Sequence, residues 1–243
     1  MLYGKRLGGN LGPKILVFDI ECTNLKASFG TVLAIAHKWL GERKVNVPTI
    51  LDYTTSGMLD DKPLIEEFRE VYCKADYTVA HYGKRFDLPY IQTKCLKHKL
   101  GPMPNIPMMD TCEIAWKNFK IHSNRLGTWL EYLDCKYEKK AMRADDWLHA
   151  AHGCKKAMKA VKERAKYDVL GLEEVFLAMR PWIKNEPNRH LFGASGCVSC
   201  GSYNLQSRGY QANKTRRYQR YQCTDCGKWQ RSVHCDERRA ELV

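Results

Sequence analysis

The chain has 243 residues, enough to bury a full core as one domain of average size with an appendage. Its formal net charge of +13 favours a polyanionic partner, nucleic acid first and an acidic membrane surface second. No apolar run is long enough to span a bilayer, and the polar, glycine-rich LYGKRLGGNLGPK after Met1 is no secretory leader, so a soluble, cytoplasmic protein is expected. In that compartment the 11 cysteines read as reduced thiols or metal ligands rather than as a disulfide framework.

In chain order, KILVFDIE predicts a strand, TVLAIAHKWL a second and KVNVPTILDY a third, with turns at Asn24–Gly30 and Gly41–Arg43. That is a three-strand meander. From Lys62 to Lys74 the apolar positions Leu64, Ile65, Phe68 and Val71 recur with helical period; DYTVAHY then alternates as a strand, and RFDLPYIQTKCLKHK returns to a helix. GPMPNIPMMDT is a proline-rich connector ending in a short extended piece. The stretch from Cys112 to Met179 reads as almost wholly helical, closing with an amphipathic helix at about Lys155–Met179. This order predicts the α/β class, a mixed sheet covered by helices. Helical periodicity stops at Pro181 and the composition turns rich in Cys, Gly, Arg, Tyr and Gln, which suggests a first domain over 1–182, a linker over 183–196 and a small second domain over 197–243.

The first strand poses a chemical question. Asp19 and Glu21 stand at i and i+2, so they project from one face of a strand whose other residues are apolar. Two carboxylates side by side repel; buried, they raise one another's pKa or require a hard divalent cation, whereas at a solvated strand end they need neither. Two later acids also sit in apolar contexts. Asp87, in AHYGKRFDLPYI, opens a helix just after a strand, where the helix dipole alone would favour it. Asp168, in AKYDVLGLEEVF, lies beside Val169 on the buried stripe of the last helix, unless it is an exposed boundary residue.

FDIE, VAHYGKRFDLPYI and YDVLGLEEVF, in that order, resemble the three motifs of the DEDD family of 3′–5′ exonucleases, whose ribonuclease H-like fold is shared with polymerase proofreading domains. The resemblance covers about Lys14–Met179, and the Asp-Thr at Asp110 is closer to stand-alone exonucleases than to polymerase domains. It implies a ribonuclease H-like sheet and four catalytic acids, Asp19, Glu21, Asp87 and Asp168, holding two magnesium or manganese ions. Asp19 would bridge the pair, Glu21 and Asp168 would complete the ion that activates water, and Asp87 would support the other. Two such ions, about 3.5–4 Å apart, supply a deprotonated water, an in-line attack and a neutralised leaving oxygen. An all-oxygen shell suits magnesium or manganese better than zinc.

Two positions depart from the family. The water-positioning tyrosine or histidine, four or five residues before the last acid, is replaced here by Arg164 or Glu163. Tyr167, adjacent to Asp168, points about 100° away on a helix; His149 and His152 are alternatives. Tyr82 stands where the family often has Asn, and could stack on a base or pack.

CVSCG and CTDCG present Cys197, Cys200, Cys223 and Cys226 as two knuckles, the arrangement of a structural tetrahedral zinc site, with a glycine after each for the tight turn. Cys235 and His234 lie beyond it, and the remaining cysteines show no ligand spacing. Between and after the knuckles, Arg208, Lys214, Arg216, Arg217, Arg220, Lys228 and Arg231 face Asp225 alone, interleaved with Tyr210, Tyr218 and Tyr221. Such a segment is a solvated hairpin or a surface for phosphate contact and base stacking. The module resembles the zinc ribbons of transposases and other nucleic-acid enzymes, so nucleic acid, DNA ahead of RNA, is the expected partner; protein docking is the other use of such a ribbon. The expected function is a two-metal 3′–5′ exonuclease whose ribbon holds the substrate. The alternatives are a structure-selective endonuclease and a nucleic-acid-binding protein with a decayed centre. The architecture suits a phage or mobile element, in which case the compartment is the host cytoplasm.

Overall fold

The computed structural model describes residues 12–53, 59–138 and 141–236. The basic start of the chain through Leu11 and the tail from Glu237 lie outside them. The described residues form two compact units, one of Lys14–Met179 and one of residues 180–236 together with Gly12 and Pro13.

The larger unit is built on a four-stranded sheet in the order β2-β1-β3-β4, with β1 at Ile15–Cys22, β2 at Val32–Trp39, β3 at Tyr77–Ala80 and β4 at Met108–Asp110. β1 runs antiparallel to β2 and parallel to β3, and β3 parallel to β4, so the sheet is mixed as the sequence predicts. The helices are α1 (Lys62–Tyr72), α2 (Asp87–Lys97), α3 (Thr111–Asn118), α4 (Leu126–Tyr132), α5 (Ala144–Ala151) and α6 (Lys155–Met179).

Period-two alternation along β1 decides what each face carries. Leu16, Phe18 and Ile20 point into a core with Leu64, Ile65 and Phe68 of α1 and Ile91 of α2. Phe18 and Phe68 stand 5.2 Å apart between ring centroids. On the opposite face α6 packs across β1 and β2, burying Val161, Ala165, Val169, Leu172 and Phe176. Gly171 marks where α4 meets α6: a Cβ there would lie 2.6 Å from Leu130 Cδ2, so a residue that weakens a helix by about 1 kcal/mol relative to Ala is needed for close approach.

Two expectations are corrected. The third strand of the meander does not form; Asn46 and Thr49 make only isolated bridges to His37 and Ala34. Pro48 has no amide to give a ladder, and the Asp52 carboxylate accepts from Thr49 N at 2.7 Å, turning the chain into a 3-10 helix at Ile50–Tyr53. The helical stretch from Cys112 is also interrupted. Phe119 leaves the helical region at φ −131°, ψ 159°, and Asp134 takes a positive φ of 48°, ending α3 and α4.

A buried polar knot ties α1, α2 and β2 together. Asp61 is 3% exposed and Lys94 1%, their charged atoms 3.0 Å apart; Asp61 also accepts from His98 Nε2 at 2.6 Å and from Val32 N at 2.9 Å. Burial raises the Asp61 pKa, but these hydrogen bonds and the Lys94 charge outweigh it and hold the carboxyl below its usual value. The knot therefore contributes stability above the ordinary carboxylate range and loses it as pH falls.

In the second unit, β5 (Leu205–Ala212), β6 (Arg217–Cys223) and β7 (Trp229–Arg231) form an antiparallel sheet in sequence order. Residues 183–196 carry a 3-10 helix at Arg189–Phe192, Ile183 is 4% exposed, and its carbonyl accepts from Lys228 Nζ.

The substitution Lys94→Met leaves Asp61 buried without its cation and is expected to cost roughly 3–5 kcal/mol. Urea unfolding of both proteins at neutral pH measures it; a loss under about 1 kcal/mol would show that His98 and the Val32 amide suffice.

Candidate metal centre and nucleic-acid interface

The alternation that fills the core with Phe18 and Ile20 turns Asp19 and Glu21 to the α6 face. There Asp168, on the helix stripe between Ala165 and Leu172, meets them: one carboxylate oxygen from each of the three lies within 4.8 Å of the others. Glu21 and Asp168 are 8% and 3% exposed. The three acids floor a pocket of about 550 Å³ that also has Asp87, His81, Tyr82 and Trp147 in its walls.

Asp87 reaches the pocket from the first turn of α2. β3 pairs with β1 only through Val17, which leaves the Ile20 amide beyond the ladder. Asp87 Oδ1 accepts from it at 3.1 Å. One carboxylate thus satisfies a strand end and locks α2 against it. Burial, with the Asp110 charge adding to it, pushes Asp87 up to about 7 against the hydrogen bonds from Ile20 and its own amide.

Arg164, one turn before Asp168 on α6, provides the cation that the sequence does not anticipate. Its Nε lies 3.1 Å from Glu21 Oε1 and 3.8 Å from Asp168 Oδ2. The guanidinium also sits over the Trp147 ring, 5.8 Å from its centroid. Trp147 is the α5 residue in the pocket wall; His149 and His152 are not in it, and His152 Nδ1 bonds instead to the Leu148 carbonyl at 2.7 Å. Tyr167 turns away to pair edge-on with Tyr137. Burial pushes the Cys22 thiol, also in the wall, up to about 11, so it is no thiolate nucleophile at neutral pH.

Sequence reasoning marks Asp110 but misses its part in the site. Its carboxylate caps α3 through Cys112 N and also accepts from Tyr82 N at 2.9 Å and Lys84 N at 3.1 Å, which holds the β3–α2 loop. The available signal is an acid preceding a helix start.

Three acids this close, two of them buried, fit a hard divalent cation, because oxygen-only donors converge on one point and like charges at that separation repel. The cysteines fit zinc. Zn–S bonds of about 2.3 Å require tetrahedral edges of about 3.8 Å, and Cys197–Cys226 and Cys200–Cys223 have Sγ separations of 3.7 Å. After each knuckle, Gly201 and Gly227 hold φ at +83° and +78°, and their amides bond to the Cys197 and Cys223 carbonyls at 2.9 Å.

On the small sheet the predicted basic residues divide. Arg208, Lys214 and Arg216 are exposed, while Arg217, Tyr218, Arg220 and Tyr221 are half-buried. Three arginines stack on aromatic rings across strands: Arg217 on Tyr210 at 4.1 Å, Arg220 on Trp229 at 4.9 Å and Arg231 on Tyr218 at 3.9 Å. Arg217 is also paired with Asp236. Lys228 turns inward to Ile183. Asp225 is engaged by Ser202 and Asn204, which lowers its pKa.

The family model of the RNase H superfamily matches residues 16–147. The chain is similar to the DNA polymerase III PolC-type of Mycoplasma genitalium, 25% identical over 189 residues, and to that of Mycoplasma pneumoniae, 28% identical over 181. Those alignments take in 70% and 66% of this chain but only 12% and 11% of the polymerases. Among solved structures, the family B DNA polymerase of Pyrobaculum calidifontis superposes with a TM-score of 0.53 at 18% identity, covering 70% of this chain and 25% of that one; the likeness is one of fold. No helix among the described residues is long and apolar enough to cross a membrane.

Protein in buffer without magnesium or manganese offers two tests. Arg164→Gln is expected to lose on the order of 1–3 kcal/mol of stability and to bind manganese more tightly than wild type, because the competing cation is gone; thermal melts and calorimetry read the two effects. Asp87, with its folded pKa raised above the unfolded value near 3.9, binds more protons folded than unfolded between about pH 4 and 7, so its contribution to stability declines as pH rises through that window. Asp87→Asn should remove that decline from the pH–stability curve, and an unchanged slope would place the titration elsewhere. With more than half of its length matched, and with a mixed sheet carrying acids on its central strand, the chain belongs to the RNase H superfamily.

Proposed function

We propose that the protein is a metal-dependent nuclease of the DEDD type, a 3′–5′ exonuclease acting on DNA or RNA, with DNA the first candidate. The observation that carries this reading is the convergence of Asp19, Glu21 and Asp168 from a central strand and a distant helix onto one pocket, with buried Asp87 in its wall. The PolC-type relatives, which are DNA polymerases by name, support a nucleic-acid substrate. Asp19, Glu21 and Asp168 would hold one divalent ion, and Asp19 with Asp87 a second; magnesium or manganese suits the oxygen donors. Bound there, such ions supply a Lewis acid and an acidified water for phosphodiester hydrolysis. The chain's own part is positional. β1 and α6 fix three of the carboxylates, and the Ile20 amide fixes the fourth.

In this reading 1–182 is the nuclease domain, 183–196 connects it, and 197–243 is a zinc ribbon that holds substrate. Cys197, Cys200, Cys223 and Cys226 would bind one structural zinc. Arg208, Lys214 and Arg216 would contact phosphates, and the stacked Arg217–Tyr210 and Arg220–Trp229 pairs would present flat faces to bases. Arg164 favours one rival, a protein that binds nucleic acid without cleaving it, because its guanidinium already lies against two of the acids.

Digestion of 5′-labelled single-stranded and duplex oligonucleotides in magnesium and in manganese decides among these. Wild type should yield a ladder shortening by single nucleotides, and Asp19→Asn should reduce the rate roughly a thousandfold or more, on the order of a lost transition-state contact of about 4 kcal/mol. Internal products would indicate an endonuclease, and binding without cleavage the decayed centre.

A further inference from the structure

α6 carries a second charged surface that the acidic pocket does not use. Lys155, Lys159, Lys162 and Lys166 are all exposed and stand at i, i+4, i+7 and i+11, so they fall within about 60° of one another on one side of the helix. Arg164, about 160° round the axis from Lys166, meets the acids from the other side. Stripe and pocket are therefore separate surfaces.

Such a stripe costs the helix stability. Like charges at i, i+3 and i, i+4 repel, and all four lysines lie in the first half of α6, where the helix dipole disfavours cations; its first turn holds no acid. Other surface helices of this unit offset their lysines, Lys62 pairing with Glu66 on α1 and Lys117 with Glu113 on α3. On α6 Glu163 is the one acid flanking the stripe, and Glu173, which continues its line two turns on, is engaged by Lys38 and the Gly41 amide. A row of one sign, kept at a cost, is the footprint of a polyanionic partner.

We propose that the lysine stripe of α6 is a docking surface for the phosphate backbone of a double-stranded nucleic acid. Lysine ammoniums are compact charges on flexible stems, which meet phosphates without reading bases. Surfaces that grip single strands interleave cations with rings for stacking. No aromatic residue of α6 shares the side of the stripe, and Tyr167 turns away to Tyr137. A helix packed on a sheet holds the four charges in a line about 16 Å long, which spans about five base pairs at about 3.4 Å of rise and suits a stiff duplex. The stripe rests on the nucleic-acid substrate of the nuclease reading and adds the form in which that substrate is held.

Binding of a short dye-labelled DNA duplex and of its single strand to the full chain, measured against salt in buffer without added divalent ions, tests this. Changing the four lysines together, Lys155→Gln, Lys159→Gln, Lys162→Gln and Lys166→Gln, should lower the slope of log affinity against log salt on duplex by about 3 to 4. Duplex binding should weaken roughly tenfold or more at about 100 mM salt, with the single strand changed far less. Glutamine preserves helix propensity and removes the repulsion, so the variant should melt no lower than wild type, and arginine at the same four positions should keep the duplex slope. An unchanged duplex slope overturns the proposal, as does an equal loss on the single strand or an equal loss when the exposed Lys74, Lys97, Lys99 and Lys120 are changed to Gln instead. Duplex binding that survives while binding to phosphatidylserine vesicles is lost also overturns it and assigns the stripe to a membrane surface. The duplex effect in a protein that shows no Asp19-dependent cleavage upholds the stripe and sinks the nuclease reading alone.

Discussion

The constraint on which the candidate site of the larger unit depends is the mutual repulsion of carboxylates brought together at the end of β1. Asp19 and Glu21 leave β1 on the face that α6 covers, and α6 brings Asp168 to within 4.8 Å of them. At that separation in a partly dry environment, like charges cost several kcal/mol at an effective dielectric near about 20. The fold answers with Arg164, which lies against both Glu21 and Asp168, and with Trp147 beneath the guanidinium. Oxygen donors gathered this closely are the kind of set that a hard divalent ion would suit.

A second constraint is the short parallel pairing of β1 with β3. Because β3 stops pairing at Val17, the end of β1 needs another acceptor, and Asp87 provides it while bringing α2 into place. Asp110 does the equivalent work one strand further on, capping α3 and pinning the loop that carries Tyr82. The acids named here do two kinds of work: Asp19, Glu21 and Asp168 converge on one another, as ligands to a shared cation do, Asp61 and Asp110 accept amide hydrogens that the strand ends and loops leave over, and Asp87 accepts one such amide while lining the acidic pocket.

The smaller unit solves a different problem, too little apolar core. Its strands have scarcely any buried residues apart from Cys223, and the four thiols gather where a core would be. The arginines contribute order by stacking on rings across strands, so charges that look like a uniform basic surface in sequence are partly structural. Arg208, Lys214 and Arg216 are the part of that charge most available to an external phosphate.

Local periodicity made much legible in the sequence. Alternation along FDIE put Asp19 and Glu21 on one face, the 3.6-residue repeat located the last helix and set Asp168 on its buried stripe, and the spacing of CVSCG and CTDCG announced a four-thiol site. These are short-range consequences of backbone geometry. The third strand failed because Pro48 and Asp52 redirect the chain through hydrogen bonds that an apolar pattern does not encode. Arg164 could be seen only as a missing tyrosine or histidine, since its partner Glu21 comes from β1, far away in the chain. The sequence by itself determined which residues were acids, thiols and aromatic rings and which face of its own element each would occupy, because those follow from dihedral geometry. Tertiary structure alone decided which of them meet, because strand order and helix crossing bring together residues between which no local interaction exists.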